Sequence, residues 1–118
     1  MSATELPRWQ WEAYPRYHRS LGNLLLHIVL VPLFLVANVA LVAALIRGSW
    51  LVALVAAGAM VASIALQGRG HRFEALPPEP FTGPGNAVLR IFLEQWVTFP
   101  GFVLRGGWLG ALRNAPTA

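Results

Sequence analysis

Two apolar runs separated by only three residues constrain this chain more than any other feature. Leu24–Ile46 carries no charge and is long enough, as a helix, to cross about 30 Å of hydrocarbon. Arg47–Gly48–Ser49 interrupts it, and Trp50–Leu66 follows. That second run can continue as helix through "QGRGHRFEAL" until Pro77 and Pro78 stop it. So brief a turn forces an antiparallel pair. The expected fold is therefore all-α: a membrane protein with an antiparallel transmembrane helical hairpin plus amphipathic or re-entrant C-terminal helices.

Composition supports lipid as the solvent. Hydrophobic residues make up 56% of the 118, charged residues 12%, and the mean hydropathy is +0.54. A soluble chain of this size needs about twice that charged fraction to cover its surface. The net charge of +4 comes from arginines dispersed among apolar runs, with no lysine. That pattern suits membrane–water boundaries and not a nucleic-acid-binding stripe. No cysteine is present, so disulfides, iron–sulfur clusters and thiolate metal sites are excluded.

The chain reads as one membrane domain, 1–118. An interfacial segment, 1–20, mixes Trp9, Trp11, Tyr14 and Tyr17 with arginines. Helix 1 spans 21–46, helix 2 spans 49–76, and a Pro/Gly-rich loop covers 77–86. C-terminal helices fill 87–113, with Asn86 as N-cap and a break at Pro100–Gly101. Arg90, Glu94 and Thr98 form a polar stripe on the first of these, suited to an element in the interface or over the end of the hairpin. Five arginines (Arg8, Arg16, Arg19, Arg69, Arg72) fall on the open side of the hairpin and Arg47 alone at its turn. The positive-inside rule then places both ends in the cytoplasm.

Polar groups inside the apolar runs are costly unless they face protein or a water-filled cavity. On helix 1, Asn23, His27, Phe34 and Asn38 fall within about 60° of one another. On helix 2, Ser63, Gln67, His71 and Glu74 share a face. With the turn centred near Gly48, residues whose numbers sum to about 96 lie at one depth. His27 is then level with Arg69, between Gln67 and His71, and Asn23 is level with Phe73–Glu74. His18 lies about 13 Å from His27 along a continuous helix. It joins the others only if the chain bends at "RSLGN", where Ser20 is a good N-cap and Gly22 weakens the helix. Asn38 and the small residues Ala37, Ala40, Gly58 and Ala59 suit helix–helix contact.

Neutral imidazoles with a carboxylate suit ferrous iron, zinc or manganese; two histidines and one carboxylate with open positions is the non-haem iron arrangement. A b-type haem between His27 and His71 is a second reading. A third is a non-enzymatic membrane protein whose polar stripes only join helices.

"YHRSLGNLLLHIVLVP" resembles the Y-H-x(4)-N-x(3)-H-x(4)-P signature of the small membrane proteins related to the 2-hydroxy fatty acid dioxygenase of fatty-acid α-oxidation. "LQGRGHRFEALPPEPF" resembles that family's second signature, Q-x-x-G-H-x-x-x-E followed by a proline pair. "PFTGP…RIFLEQWVTFPGFVL" is similar to the C-terminal block of its shorter, bacterial-type members. The resemblance implies an oxidoreductase of lipid metabolism in the bacterial inner membrane: an Fe(II)-dependent dioxygenase that shortens a 2-hydroxy fatty acid by one carbon, with O₂ as co-substrate. It implies His18, His27 and His71 as catalytic metal ligands. Glu74 matches the motif glutamate one residue early and is expected as a fourth ligand or as an acceptor that orients an imidazole. Asn23 and Gln67 match motif positions that would touch ligands or substrate. Tyr17 would fold over the site with His18, and Arg72 or Arg19 would pair with the substrate carboxylate. Whether copies associate into a homo-oligomer is left open.

Overall fold

In the computed structural model, which describes residues 2–116, the chain is helical throughout, with no strand among the described residues. The helices are α1 (Leu6–Ala13), α2 (Leu21–Arg47), α3 (Trp50–Gly70), α4 (Pro84–Leu93), α5 (Phe99–Leu104) and α6 (Gly107–Arg113). Tight single turns Tyr14–Tyr17 and His71–Phe73 follow α1 and α3, and one widened π-turn, Glu94–Thr98, joins α4 to α5.

α2 and α3 form the expected hairpin. Gly48 closes α2 in the left-handed conformation (φ 71°), where its N–H and that of Ser49 bond the last carbonyls of α2. Same-depth pairing follows the expected register: Gly22 lies against Phe73, Asn23 against Gly70 and Glu74, and Leu30 against Ser63. Ala37, Ala44, Ala53 and Ala56 are buried. Gly58 instead is exposed, with open space where a Cβ would stand, so the alanines and not Gly58 carry the close packing. The outward faces of both helices remain apolar and uncovered, as at Val29, Val36, Leu51 and Leu54. A surface of that kind needs lipid around it.

Three segments are long and apolar enough to cross a membrane: Leu21–Arg47, Trp50–Phe73 and Pro84–Leu104. The third was expected to start after an Asn86 cap and break at Pro100. It starts at Pro84 instead, because proline at a first helical position loses no hydrogen bond and already has a helical φ. Asn86 accepts from the Thr82 N–H within the loop. The Pro100 break is absorbed by the π-turn just before it, where Phe99 N–H bonds the Glu94 carbonyl five residues back. Pro100 then falls in the first turn of α5, where a missing N–H is tolerated.

This segment lies on the histidine-bearing half of the hairpin. Phe92 meets Phe34, Trp96 Nε1 donates to Asn38 Oδ1 at 3.0 Å, and Phe99 meets His27. Asn38 thus joins helices, as expected, although its partner is the third segment. The core gathers Tyr14, Leu24, Val31, Phe99 and Phe102, with Trp108 of α6 donating to the Leu24 carbonyl. α1, unforeseen as a helix, buries Leu6, Gln10 and Ala13 on one face. Gln10 locks that face to the third segment: it donates to Arg90 O (3.1 Å) and accepts from Thr98 Oγ1 (2.6 Å).

Candidate metal centre

The bend expected at "RSLGN" exists: α2 begins only at Leu21, and Ser20 is extended at its N-cap. It lets Tyr14–His18 fold back over α2. His18 and His27 are buried and His71 half-buried, and their ring centroids stand 4.9, 4.8 and 5.2 Å apart, each pair nearly perpendicular. Three separate segments deliver them: the N-terminal turn, α2, and the turn ending α3.

Backbone contacts fix two of the rings. His18 Nδ1 lies 2.9 Å from Tyr14 O, and His27 Nδ1 lies 3.0 Å from Asn23 O. A carbonyl can only accept, so each Nδ1 carries a hydrogen, and each Nε2 is the ring nitrogen left to face Glu94. Those two Nε2 atoms and His71 Nδ1 are buried without a hydrogen-bond partner. Tyr14 stacks on His18 at 3.7 Å and holds its ring plane.

The carboxylate among them is Glu94. Its Oε2 lies 3.4 Å from His18 Nε2 and 3.5 Å from His27 Nε2, and accepts from Tyr14 OH at 2.7 Å. Burial, and then the Glu94 charge, push the Tyr14 phenol well above its ordinary pKa, so it remains a donor. One ligand atom from each of His18, His27, His71 and Glu94 falls within 4.8 Å of the rest.

Acceptors facing acceptors are unfavourable unless a proton or a cation lies between them. The distances distinguish the two. An imidazolium hydrogen bond to carboxylate closes to about 2.7–2.9 Å, and 3.4–3.5 Å is too long for that. Two donors each about 2.1 Å from one metal ion, at tetrahedral angles, stand about 3.4 Å apart, and the centroids of two such imidazoles about 4.6–5.3 Å apart between right and tetrahedral angles. The observed separations match. A haem iron between His27 and His71 would set their centroids about 6.5 Å apart on opposite sides. They are 5.2 Å apart, with His18 at similar distance from both.

Glu74, expected at the metal, occupies another place. α3 ends before it, and Glu74 turns extended (ψ 141°), so the expected continuation to residue 76 does not form. Its carboxylate accepts from the Arg19 and Ser20 N–H groups (2.9–3.2 Å) and from Asn23 Nδ2 (2.8 Å). This caps the positive N-terminus of α2, and capture by three donors outcompetes another helical turn. Glu74 thereby holds the bend that delivers His18.

Asn23 links the cap to the site, with its side chain on Glu74 and its carbonyl on His27. Gln67 makes a reciprocal amide pair with Gln95 (2.9 Å each way) and donates to Ser63, which donates to Leu30 O. That network joins the helices beside the site, and Gln67 also lines the cavity described next.

A cavity of about 310 Å³ opens onto the three histidines and Glu94, and Tyr17, Trp9, Ile64 and Arg90 contribute to its walls. Arg19 and Arg72, expected near a substrate carboxylate, are exposed and do not line it; the arginine there is Arg90. Glu94, Tyr14 and Arg90 were missed as site residues. The available signal was an ionisable pair inside a third apolar segment, the kind of group that marks function within lipid. No family model, curated protein or solved structure matches the chain.

Proposed function

We propose that this protein is a membrane-embedded non-haem Fe(II)-dependent dioxygenase that acts on 2-hydroxy fatty acids. The observation that carries the reading is the convergence of three imidazole nitrogens and the Glu94 carboxylate, lone pairs inward, at distances suited to one cation. The motif resemblance supplies the substrate class and the preference for iron over zinc or manganese.

The overall reaction balances without an external reductant: R–CH(OH)–COOH + O₂ gives R–COOH + CO₂ + H₂O. All four electrons that reduce O₂ come from the acid. Bound by these residues, Fe(II) would supply the redox chemistry that couples O₂ to an organic acid. Within the chain, His18, His27, His71 and Glu94 hold the ion. The Tyr14 and Asn23 carbonyls fix imidazole tautomers, and Tyr14 OH orients Glu94. Trp9, Ala13 and Ile64 limit water in the cavity and offer apolar wall to the acyl chain. By the positive-inside rule, the N-terminus and the site face the cytoplasm of a bacterial inner membrane.

The test is elemental analysis of the protein purified in detergent, with an oxygen-uptake assay on 2-hydroxyhexadecanoate. About one iron per chain and one CO₂ released per O₂ consumed are expected. Alanine at His27 or His71 should abolish both metal and turnover while membrane insertion is retained. A metal-free wild type after reconstitution with Fe(II) would end the proposal.

A further inference from the structure

We propose that Arg90 is the residue that binds the acid group of a fatty-acid ligand in the cavity. The assignment deepens the reading of that cavity as a lipid-acid site, and it concerns a contact made by the protein alone.

Arg90 sits on α4 one turn before Glu94, half-buried, with its side chain on the cavity wall. Two guanidinium nitrogens are already anchored: Nη1 donates to Pro80 O at 3.1 Å and Nη2 to Glu79 O at 2.9 Å. The plane is held between rings, with Phe81 4.6 Å and Trp9 5.1 Å from its carbon. These contacts fix the group without an ion pair; the Glu79 and Glu94 carboxylates act on its charge only from beyond ion-pairing distance. Both anchors are neutral carbonyls, and no carboxylate of the described residues lies within ion-pairing distance of Arg90. Nε is buried and has no partner at all.

A fixed guanidinium with no ion pair and an orphaned Nε–H, set on a cavity wall that is largely hydrophobic, favours an anionic ligand there. A carboxylate suits it, because a guanidinium on the cavity wall pairs a permanent positive charge with N–H donors beyond the two its anchors use. The adjoining apolar surface, Ile64 and Ile91, suits an acyl chain attached to that acid. Arg90, Glu94 and the three histidines line one cavity, so an acid held by Arg90 occupies the space that the histidine cluster faces. This explains why Arg19 and Arg72 are not needed: they lie in the interface, where their charges are hydrated.

The test uses the purified full chain in nanodiscs, with radiolabelled palmitate displaced by unlabelled palmitate or methyl palmitate and empty nanodiscs as blank. Palmitate should compete at a concentration at least about tenfold below the ester, the difference one charged hydrogen-bond pair makes. Arg90→Gln should remove that preference without changing metal content. Arg90→Lys should restore only part of it, since an ammonium lacks the fork. The same series is run on chelator-treated protein. Equal competition by acid and ester in the wild type would overturn the proposal even if no variant folds. So would an acid preference that survives Arg90→Gln but vanishes with the metal, because the ion would then hold the acid. Arg90-dependent palmitate binding in a protein that never consumes O₂ would leave this assignment standing and refute the dioxygenase.

Discussion

Glu94→Gln and Glu74→Gln form a matched pair that separates the two carboxylates by function. Glu94→Gln keeps the side-chain volume but removes the charge from a group 3.4 and 3.5 Å from two imidazole nitrogens. Four-ligand structural zinc sites bind with about 10–16 kcal/mol, so one ligand in four is worth about 3 kcal/mol, roughly a hundredfold in Kd. Glu74→Gln acts on the cap of α2. It weakens three charge-assisted contacts at a half-buried helix terminus and costs about 1–2 kcal/mol of stability. Metal affinity should then fall by about tenfold at most, less than for Glu94→Gln, because the cap reaches the imidazoles only indirectly, through the bend before His18 and the Asn23 carbonyl on His27. Co(II) titration of the detergent-solubilised protein, followed by its visible absorption and by chelator competition, measures the affinities; thermal unfolding in the same detergent measures the cap. The reasoning is refuted if Glu94→Gln binds Co(II) within about threefold of wild type while Glu74→Gln loses it.

Tyr14→Phe removes the 2.7 Å donor to Glu94 and should weaken metal binding about 10–100-fold, measured by the same competition. Because burial and the Glu94 charge raise the phenol's pKa, its hydrogen bond should persist as pH passes the usual tyrosine value near about 10 and be lost only above it. A wild-type affinity that falls through that range, with no such fall in Tyr14→Phe, would contradict this. Gly70→Ala places a Cβ 2.5 Å from Asn23 Oδ1 and should destabilise the hairpin by about 1–3 kcal/mol, whereas Gly58→Ala meets open space and should be neutral or raise the Tm slightly.

Hairpin, depth register and bend were legible because each rests on a local rule. An apolar run has a length, a three-residue turn permits one topology, and Gly22 beside Ser20 is a poor place to continue a helix. His27 and His71 followed from the register, and His18 from the bend. The carboxylate beside them did not, since nothing in the hairpin's geometry says which face of a later segment returns to it. Glu74 lay on the correct face of α3 only if α3 continued, and the N–H groups of Arg19 and Ser20 ended it. Glu94 could be read as part of an interfacial stripe until the π-turn is known. That turn brings Glu94, Gln95 and Thr98 to bear on His18 and His27, Gln67 and Gln10 respectively, where a regular helix would spread them more widely.

The provenance of the four groups bears on how such a chain holds its shape in lipid. Apolar helices surrounded by acyl chains gain little from burying one another, so specific polar contacts must select the tertiary arrangement. Here the hairpin is set by its turn and by Ser63, and α1 is tied to the third segment through Gln10. Between those two units, beside the ring contacts Phe34–Phe92 and His27–Phe99, the Gln67–Gln95 pair and the Trp96–Asn38 bond are side-chain hydrogen bonds. His18 and Glu94 belong to one unit, His27 and His71 to the other. An ion bound at their centre, as proposed, would join the two units through four ligands at the point where lipid supplies least, and its binding energy would become assembly energy. On that argument the protein's metal site and its tertiary fold are one equilibrium: removing the ion should loosen α1 and the third segment from the hairpin while the hairpin, closed by Gly48, stays intact.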